Sequence, residues 1–179
     1  TNAEINIVGH SHGGNVAIVA SQELAKTSNR RIAKIYALAT PINVAQYMPA
    51  MQVVDYVYNF FSLYDYIQPV LGIFGRVLPE HPRIANIRVV LEGKSGSHSD
   101  MRSPLIARWL PVIHEELHKH RLGNFQHFTF GQPSAIHFFE QGHPYYRIDR
   151  EQDKLLKRDR EILERLANAL SRKRHKAYA

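Results

Sequence analysis

The sequence predicts an α/β fold: a mostly parallel sheet with helices on its faces. Four short and almost continuously apolar segments have the character of buried strands, and long crossover segments separate them. Strands of this kind, joined by long connections, are typical of parallel sheets that are covered on both faces. Ser11, Asp65 and His98 each follow the end of such a segment. Ligands of parallel sheets bind outside the carboxyl ends of the strands, so these three residues are predicted to share one edge.

Length and composition fit a domain with a sizeable core. The chain has 179 residues, of which 44% are hydrophobic and 22% are charged. It contains no cysteine, which excludes disulfides, thiolate catalysis and thiolate zinc sites. No run of 18 apolar residues and no signal peptide is visible, so the sequence leaves the compartment unknown, with the cytoplasm as the default expectation.

The predicted elements follow a simple order of strand, helix, three strands and helix. The strands are centred on Ile5–Val8 and on residues 32–39, 53–61 and 84–91, and the helices span about 13–27 and 103–121. The first helix has an apolar stripe that predicts its buried face, consisting of Val16, Ala17, Ala20, Leu24 and Ala25.

The connection between the first strand and the first helix carries the motif G-x-S-x-G. It is Gly9-His-Ser-His-Gly13, followed by Gly14. A serine on so sharp a turn takes strained backbone angles, so small residues are expected at Gly9 and Gly13 to avoid collisions. Gly14 is expected to let the helix approach the sheet closely. The helix N-terminus then offers backbone N–H groups to a developing oxyanion.

A serine hydroxyl needs a base, and the base needs a carboxylate that orients it. We predict that His98 is the base, because it lies on a Gly/Ser-rich loop after the last strand. Asp65, after the third strand, is the predicted acid. The alternatives are a purely structural histidine and a turn-capping aspartate. Asp55 is a weaker competitor for the acid, and Asp100 is too close in sequence to His98 for the usual role.

These motifs resemble those of the α/β-hydrolase superfamily, especially its lipase- and esterase-like members. The resemblance covers residues 3–120 and rests on Gly-His-Ser-His-Gly-Gly at 9–14, Leu-Ala-Thr-Pro at 38–41, Asn-Phe-Phe-Ser-Leu-Tyr-Asp at 59–65 and Gly-Ser-His-Ser at 96–99. It implies Ser11 as nucleophile, Asp65 as acid and His98 as base, with the backbone N–H of His12 as an oxyanion donor. It also implies a lipid or other acyl ester as substrate, and neither metal nor organic cofactor.

The resemblance also implies a sheet that is incomplete in this chain. Family members have further strands before the serine turn, and a loop there supplies the second oxyanion donor. The four predicted strands therefore correspond to the second half of the family's sheet. We expect a preceding segment or a partner chain to complete it, since a long apolar edge promotes aggregation.

We predict a boundary between a hydrolase core at residues 1–121 and a C-terminal region at 122–179. The latter begins with an aromatic segment, in which residues 125–130 and 135–140 are predicted to form a hairpin, and continues with a charged helix over about 148–172. Residues 147–179 hold eleven Lys/Arg and six Asp/Glu, a net charge of +5 out of the chain's +7. A solvated, salt-bridged helix is expected; an acidic partner or membrane surface stays open, and nucleic acid is not expected.

One rival motif is His114-Glu-Glu-Leu-His118, which matches H-E-x-x-H on a predicted helix. We predict a solvated helix face there, because charged and polar residues surround the pair and no third zinc ligand is identifiable. Three functions therefore stay open in decreasing order: a serine ester hydrolase, a non-catalytic interaction module on the same scaffold, and a zinc peptidase.

Overall fold

A six-stranded sheet forms the centre of the computed structural model, which describes residues 3–67, 75–122, 134–138 and 145–147. The strands are β1 (Asn6–His10), β2 (Ile32–Leu38), β3 (Val54–Phe61), β4 (Ile84–Leu91), β5 (Ser134–Phe138) and β6 (Tyr145–Arg147). Their order in the sheet is their order in the sequence. Strands β1 to β5 run parallel and β6 pairs antiparallel with β5. The predicted fold class, α/β with a mostly parallel sheet, is confirmed.

The sheet has two more strands than the four predicted. Both added strands lie in the aromatic segment, and β5 continues the parallel sheet by pairing with β4. The predicted hairpin partner of β5, residues 125–130, lies outside the described residues, and β6 pairs with β5 instead. The predicted charged helix over 148–172 also lies outside them. At the opposite edge of the described sheet, β1 leaves Val8 55% exposed.

Two helices cover opposite faces of the sheet. Helix α1 (His12–Thr27) and helix α2 (Pro104–Leu122) pack into separate cores, and a short 3-10 turn at Asp100–Arg102 precedes α2. The core under α2 contains Ile106, Leu110, Ile113 and Leu117 from the helix and Tyr58, Phe60, Ile87, Val89, Ile136 and Phe138 from the sheet. This spacing of three and four residues is what buries one side of a helix. Within the described residues, neither helix is apolar enough over its length to cross a bilayer.

The buried face of α1 differs from the predicted stripe. It is formed by Gly14, Asn15, Ala17, Ile18 and Ser21, whereas Val16 is 68% exposed. The predicted stripe was right at Ala17, Leu24 and Ala25, which pack into this core, and wrong at Val16 and Ala20, because it counted only apolar residues. Asn15 donates to the carbonyl of Pro41 at 3.0 Å, and Ser21 Oγ accepts from the N–H of Ala50 at 3.1 Å. Buried polar groups with such partners are compatible with a core.

Histidines 114 and 118 also lie differently from the expectation. Their rings are 4.3 Å apart and both meet the ring of Tyr56 edge-on, at 4.5 and 5.2 Å. Nδ1 of His114 is hydrogen-bonded to the hydroxyl of Tyr58 in β3. The prediction of a solvated helix face was therefore wrong at this pair, which packs against tyrosines of the sheet.

Burial and neighbouring charges lower the pKa of His114. Burial lowers its pKa from the usual 6.5, with further lowering by His118 and Lys34, while Glu115 and Glu4 act in the opposite direction. Burial also raises the pKa of Tyr58, so the phenol keeps its proton. The neutral imidazole therefore accepts from the Tyr58 O–H, and protonation of His114 would remove that acceptor.

We expect the free energy of unfolding to fall as the pH decreases below about 6.5, since the unfolded chain then binds a proton at residue 114 that the folded chain resists. The loss should level off once the pH is below the pKa of folded His114. Urea unfolding between pH 7 and pH 5 measures the slope. His114→Asn, whose Oδ1 can accept from Tyr58 without titrating, should flatten it. An unchanged slope in this variant would show that other groups cause the pH dependence.

Candidate active site

The parallel register brings the carboxyl ends of four strands to one edge. His10 at the end of β1 is level with Leu38 of β2, and Leu38 is level with Phe60 of β3, which pairs with Ile87 of β4. The residues that follow these strands therefore emerge side by side. This is the edge at which the three predicted site residues were expected.

Ser11 occupies a strained turn between β1 and α1. Its backbone has φ 55° and ψ −131°, a region that residues with a side chain rarely adopt. Its N–H donates to the carbonyl of Leu38 at 2.8 Å, and its carbonyl accepts from Gly14 N–H at 3.0 Å. The turn is thus fixed to β2 on one side and to the first turn of α1 on the other. The Ser11 side chain is half-buried and makes no hydrogen bond to any other described residue.

Two of the three predicted glycines are required sterically. A Cβ at Gly9 would lie 2.5 Å from the backbone of Gly13 and Gly14, which has no freedom to move aside. A Cβ at Gly14 would lie 1.9 Å from Oγ1 of Thr40, so α1 would be pushed away from the segment after β2. Gly13 differs, because a Cβ there would meet no atom within 4 Å. The expected collision at Gly13 is therefore not found.

We expect Gly14→Ala to destabilise the protein by about 1–3 kcal/mol, the usual effect of adding a methyl group to a site without space. Gly13→Ala is the matched control at the next position of the same helix. It should be neutral or stabilising by up to about 1 kcal/mol, because alanine favours a helix over glycine. Urea unfolding of both variants measures the difference. Equal effects at the two positions would contradict the close packing of Gly14 against Thr40.

Asp65 and His98, 33 residues apart in sequence, form a hydrogen-bonded pair. Oδ2 of Asp65 lies 2.7 Å from Nδ1 of His98. The carboxylate side chain is fully buried, whereas the imidazole is 16% exposed. A carboxylate only accepts, so Nδ1 of His98 carries the proton, and in the neutral ring Nε2 is left with a lone pair. The other carboxylate oxygen, Oδ1, accepts from the N–H of Ile67 at 3.0 Å.

The loop that carries His98 is held by Asp100. Oδ2 of Asp100 accepts from Ser97 N–H at 2.9 Å, from Ser97 Oγ at 2.8 Å and from Ser95 Oγ at 3.2 Å. The bonds from Ser97 are the largest cause that holds the pKa of Asp100 below its usual value. Gly96 has a φ of 73°, and a Cβ there would lie 2.8 Å from Ser62 Oγ. Asp100 thus shapes the loop through Ser95 and Ser97, whereas the imidazole of His98 is bonded to Asp65.

His10, which was not predicted as a site residue, joins the serine turn to this loop. Nε2 of His10 lies 3.0 Å from the carbonyl oxygen of His98, and a carbonyl only accepts, so Nε2 donates. The two rings are 4.8 Å apart and tilted by 58°. His10 directly precedes Ser11, so this contact holds the loop of His98 against the serine turn. The position of His10 inside the G-x-S-x-G motif is the sequence signal that could have identified it.

The competing acid is placed elsewhere. Asp55 lies near the amino end of β3, whereas Ser11 follows the carboxyl end of β1, and Asp55 forms an ion pair with Arg31.

His12 begins α1, so its N–H lies in the first turn, where helix N–H groups have no partner within the helix. Among the described residues, no group of three or more His, Asp or Glu side chains is arranged to hold a metal ion.

Comparison with known proteins finds one family. The model of the class 3 lipase family, described as lipase (class 3), matches residues 1–74. This match supports a lipase- or esterase-like member of the α/β-hydrolases. The matched part of the chain contains Ser11 and Asp65, and His98 lies beyond it. No curated protein and no solved structure matches the chain. The family supports hydrolysis of lipid esters in general.

Proposed function

We propose that this hydrolase cleaves carboxylic esters of lipids or other acyl compounds through Ser11, His98 and Asp65. The observation that carries the proposal is the 2.7 Å bond between Asp65 and His98 at the sheet edge where the strained turn presents Ser11. Burial of Asp65 supports a role as the orienting acid, because a buried carboxylate has few partners other than the imidazole. Order along the chain, Ser then Asp then His, agrees with the α/β-hydrolase order.

In the proposed reaction, Ser11 Oγ attacks the acyl carbon while Nε2 of His98 takes the hydroxyl proton. The substrate oxygen becomes an oxyanion beside the N–H of His12, where the helix N-terminus stabilises negative charge. The bond to the leaving alkoxide then breaks, and His98 returns the proton to give an alcohol. Water, deprotonated by His98, attacks the acyl-enzyme, and Ser11 recovers its proton as the carboxylic acid leaves.

Two predicted partners remain proposals. We propose that a further segment or partner chain continues the sheet beyond β1, which is supported by the exposure of Val8 in that strand and of Ile5 just before it. The proposed contact of the basic C-terminus with an acidic or membrane surface rests on residues 147–179, whose composition alone supports it. No metal or organic cofactor is needed for the proposed steps.

We expect Ser11→Ala to reduce hydrolysis of a short acyl ester by about 10⁴-fold or more, because no other described group takes the place of the nucleophile. A fluorophosphonate probe should label the wild-type protein at Ser11 and leave the variant unlabelled. Urea unfolding serves as the control for folding. Retained turnover in Ser11→Ala would refute the nucleophile, and a wild-type protein that is folded but never labelled would favour the non-catalytic interaction module.

Asp65→Asn and Asp55→Asn form a matched pair for the acid, since both lie in or just after β3. We expect Asp65→Asn to lower kcat by about 10⁴-fold, because an amide can present its N–H group to His98 and hold the wrong tautomer. Asp55→Asn should change kcat by less than about two-fold, because it disturbs only a surface ion pair. Equal effects of the two substitutions on ester turnover would refute the assignment of Asp65.

A further inference from the structure

Two buried asparagines lie side by side in the middle of the sheet. Asn59 of β3 and Asn86 of β4 are register partners, and their exposures are 0% and 1%. Asn59 Nδ2 donates to Asn86 Oδ1 at 2.9 Å. Burial of two amides is unfavourable unless their polar atoms are bonded, and an aliphatic pair would fill such a position without that requirement. The burial of these two asparagines is therefore explained by the groups that their side chains bind.

The asparagines bind a short stretch of backbone, residues 76–78. Asn86 forms a two-point bond with Leu78, since its Oδ1 accepts from the Leu78 N–H and its Nδ2 donates to the Leu78 carbonyl, both at 2.8 Å. Asn59 Nδ2 also donates to the carbonyl of Arg76 at 2.8 Å. The side chains thus act toward this stretch as an adjacent strand would. Gly75, which precedes it, is bridged to Ile42 by backbone hydrogen bonds in both directions.

The same stretch contacts Asp65. Nη2 of Arg76 donates to the carbonyl oxygen of Asp65 at 3.3 Å, while the Arg76 carbonyl is held by Asn59. A continuous set of hydrogen bonds therefore leads from the sheet interior, through Arg76, to the backbone of the residue that pairs with His98. The connection acts on the main chain of Asp65 and leaves both of its carboxylate oxygens to His98 and Ile67.

We propose that Arg76, anchored by Asn59 and Asn86, is a positioning residue that keeps the Asp65 carboxylate directed at His98. This inference rests on the proposed function, in which Asp65 orients His98. Small displacements of an orienting group reduce the rate of reaction more than they reduce ground-state binding of substrate. The positioning role should therefore affect kcat and the tautomer of His98, and leave KM nearly unchanged.

The test compares Arg76→Ala with Arg83→Gln. Arg83 makes the same kind of bond, from its guanidinium to the carbonyls of Val54 and Met51, at the amino ends of the strands. We expect Arg76→Ala to lower kcat by about 10- to 100-fold with KM changed less than about two-fold. Arg76→Lys should recover most of the rate, because an ammonium can donate to the same carbonyl. Arg83→Gln should alter urea unfolding only.

Two further measurements separate positioning from general loss of stability. Ring ¹⁵N shifts of His98 should report the Nδ1–H tautomer in the wild type and in Arg83→Gln, and a mixture of tautomers in Arg76→Ala. The double variant Arg76→Ala/Asn86→Leu should have a kcat within about two-fold of the lower single variant, because both residues act along one set of bonds. Multiplying effects, or an unaltered tautomer in Arg76→Ala, would overturn the proposal.

These readouts also distinguish the positioning role from the proposed function. The ¹⁵N shifts do not depend on turnover, so they test whether Arg76 positions Asp65 even if no ester is hydrolysed. If the wild-type protein is labelled by a fluorophosphonate but Arg76→Ala behaves as Arg83→Gln does, the proposed function stands and the role of Arg76 is refuted. If Arg76→Ala shifts the tautomer in a protein that does not react, the positioning stands and the hydrolase mechanism fails.

Discussion

The close approach of helix α1 to the ends of β1 and β2 is the constraint on which the site depends. Two glycines without space for a methyl group allow the first helical turn to pack closely: Gly9 lies against the backbone of Gly13 and Gly14, and Gly14 lies against the side chain of Thr40. Ser11 takes up a positive φ between them. A second residue with a side chain, Ala39, also has a positive φ at this edge, and its N–H donates to Phe60 at 2.8 Å. Strain of this kind persists only where the surrounding bonds determine it.

Two different kinds of interaction hold the two parts of the candidate site in place. The serine turn is fixed by steric contact and backbone bonds, whereas Asp65 and His98 depend on side-chain hydrogen bonds that reach into two loops. Asp100 shapes the loop of His98, and the buried asparagines support the turn of Asp65. The part fixed by steric contact therefore carries the proposed nucleophile, and the part fixed by side-chain hydrogen bonds carries the proposed base. Such a division lets small changes in the second half alter reactivity while the fold stays intact.

The sequence predicted most of this core because its local signals were strong. Apolar β-branched runs located four strands, and the positions of Ser11, Asp65 and His98 after strand ends indicated one edge. Side-chain partners could not be predicted, since they depend on register: His10 beside His98, and Asn59 beside Asn86. The burial of Asn15 and Ser21 on α1 and the packing of His114 on Tyr58 were also not predicted. A pattern of apolar residues does not show which polar groups find partners. Strand β5 was predicted to pair within a hairpin, and it also pairs with β4. A short aromatic segment does not show by itself which strand of the sheet it will join.

The order of the strands has a consequence for how the chain assembles. Among the described strands, each pairs with its neighbour in sequence, and none is inserted between two earlier ones. During synthesis each of these strands therefore adds to the edge of the strand made before it, without separating strands that are already paired. The turn of Ser11 follows β1, whereas the loop of His98 follows β4, so the turn is synthesised before the loop. A nascent chain would thus hold the proposed nucleophile without the proposed base until β4 and the loop after it have been made.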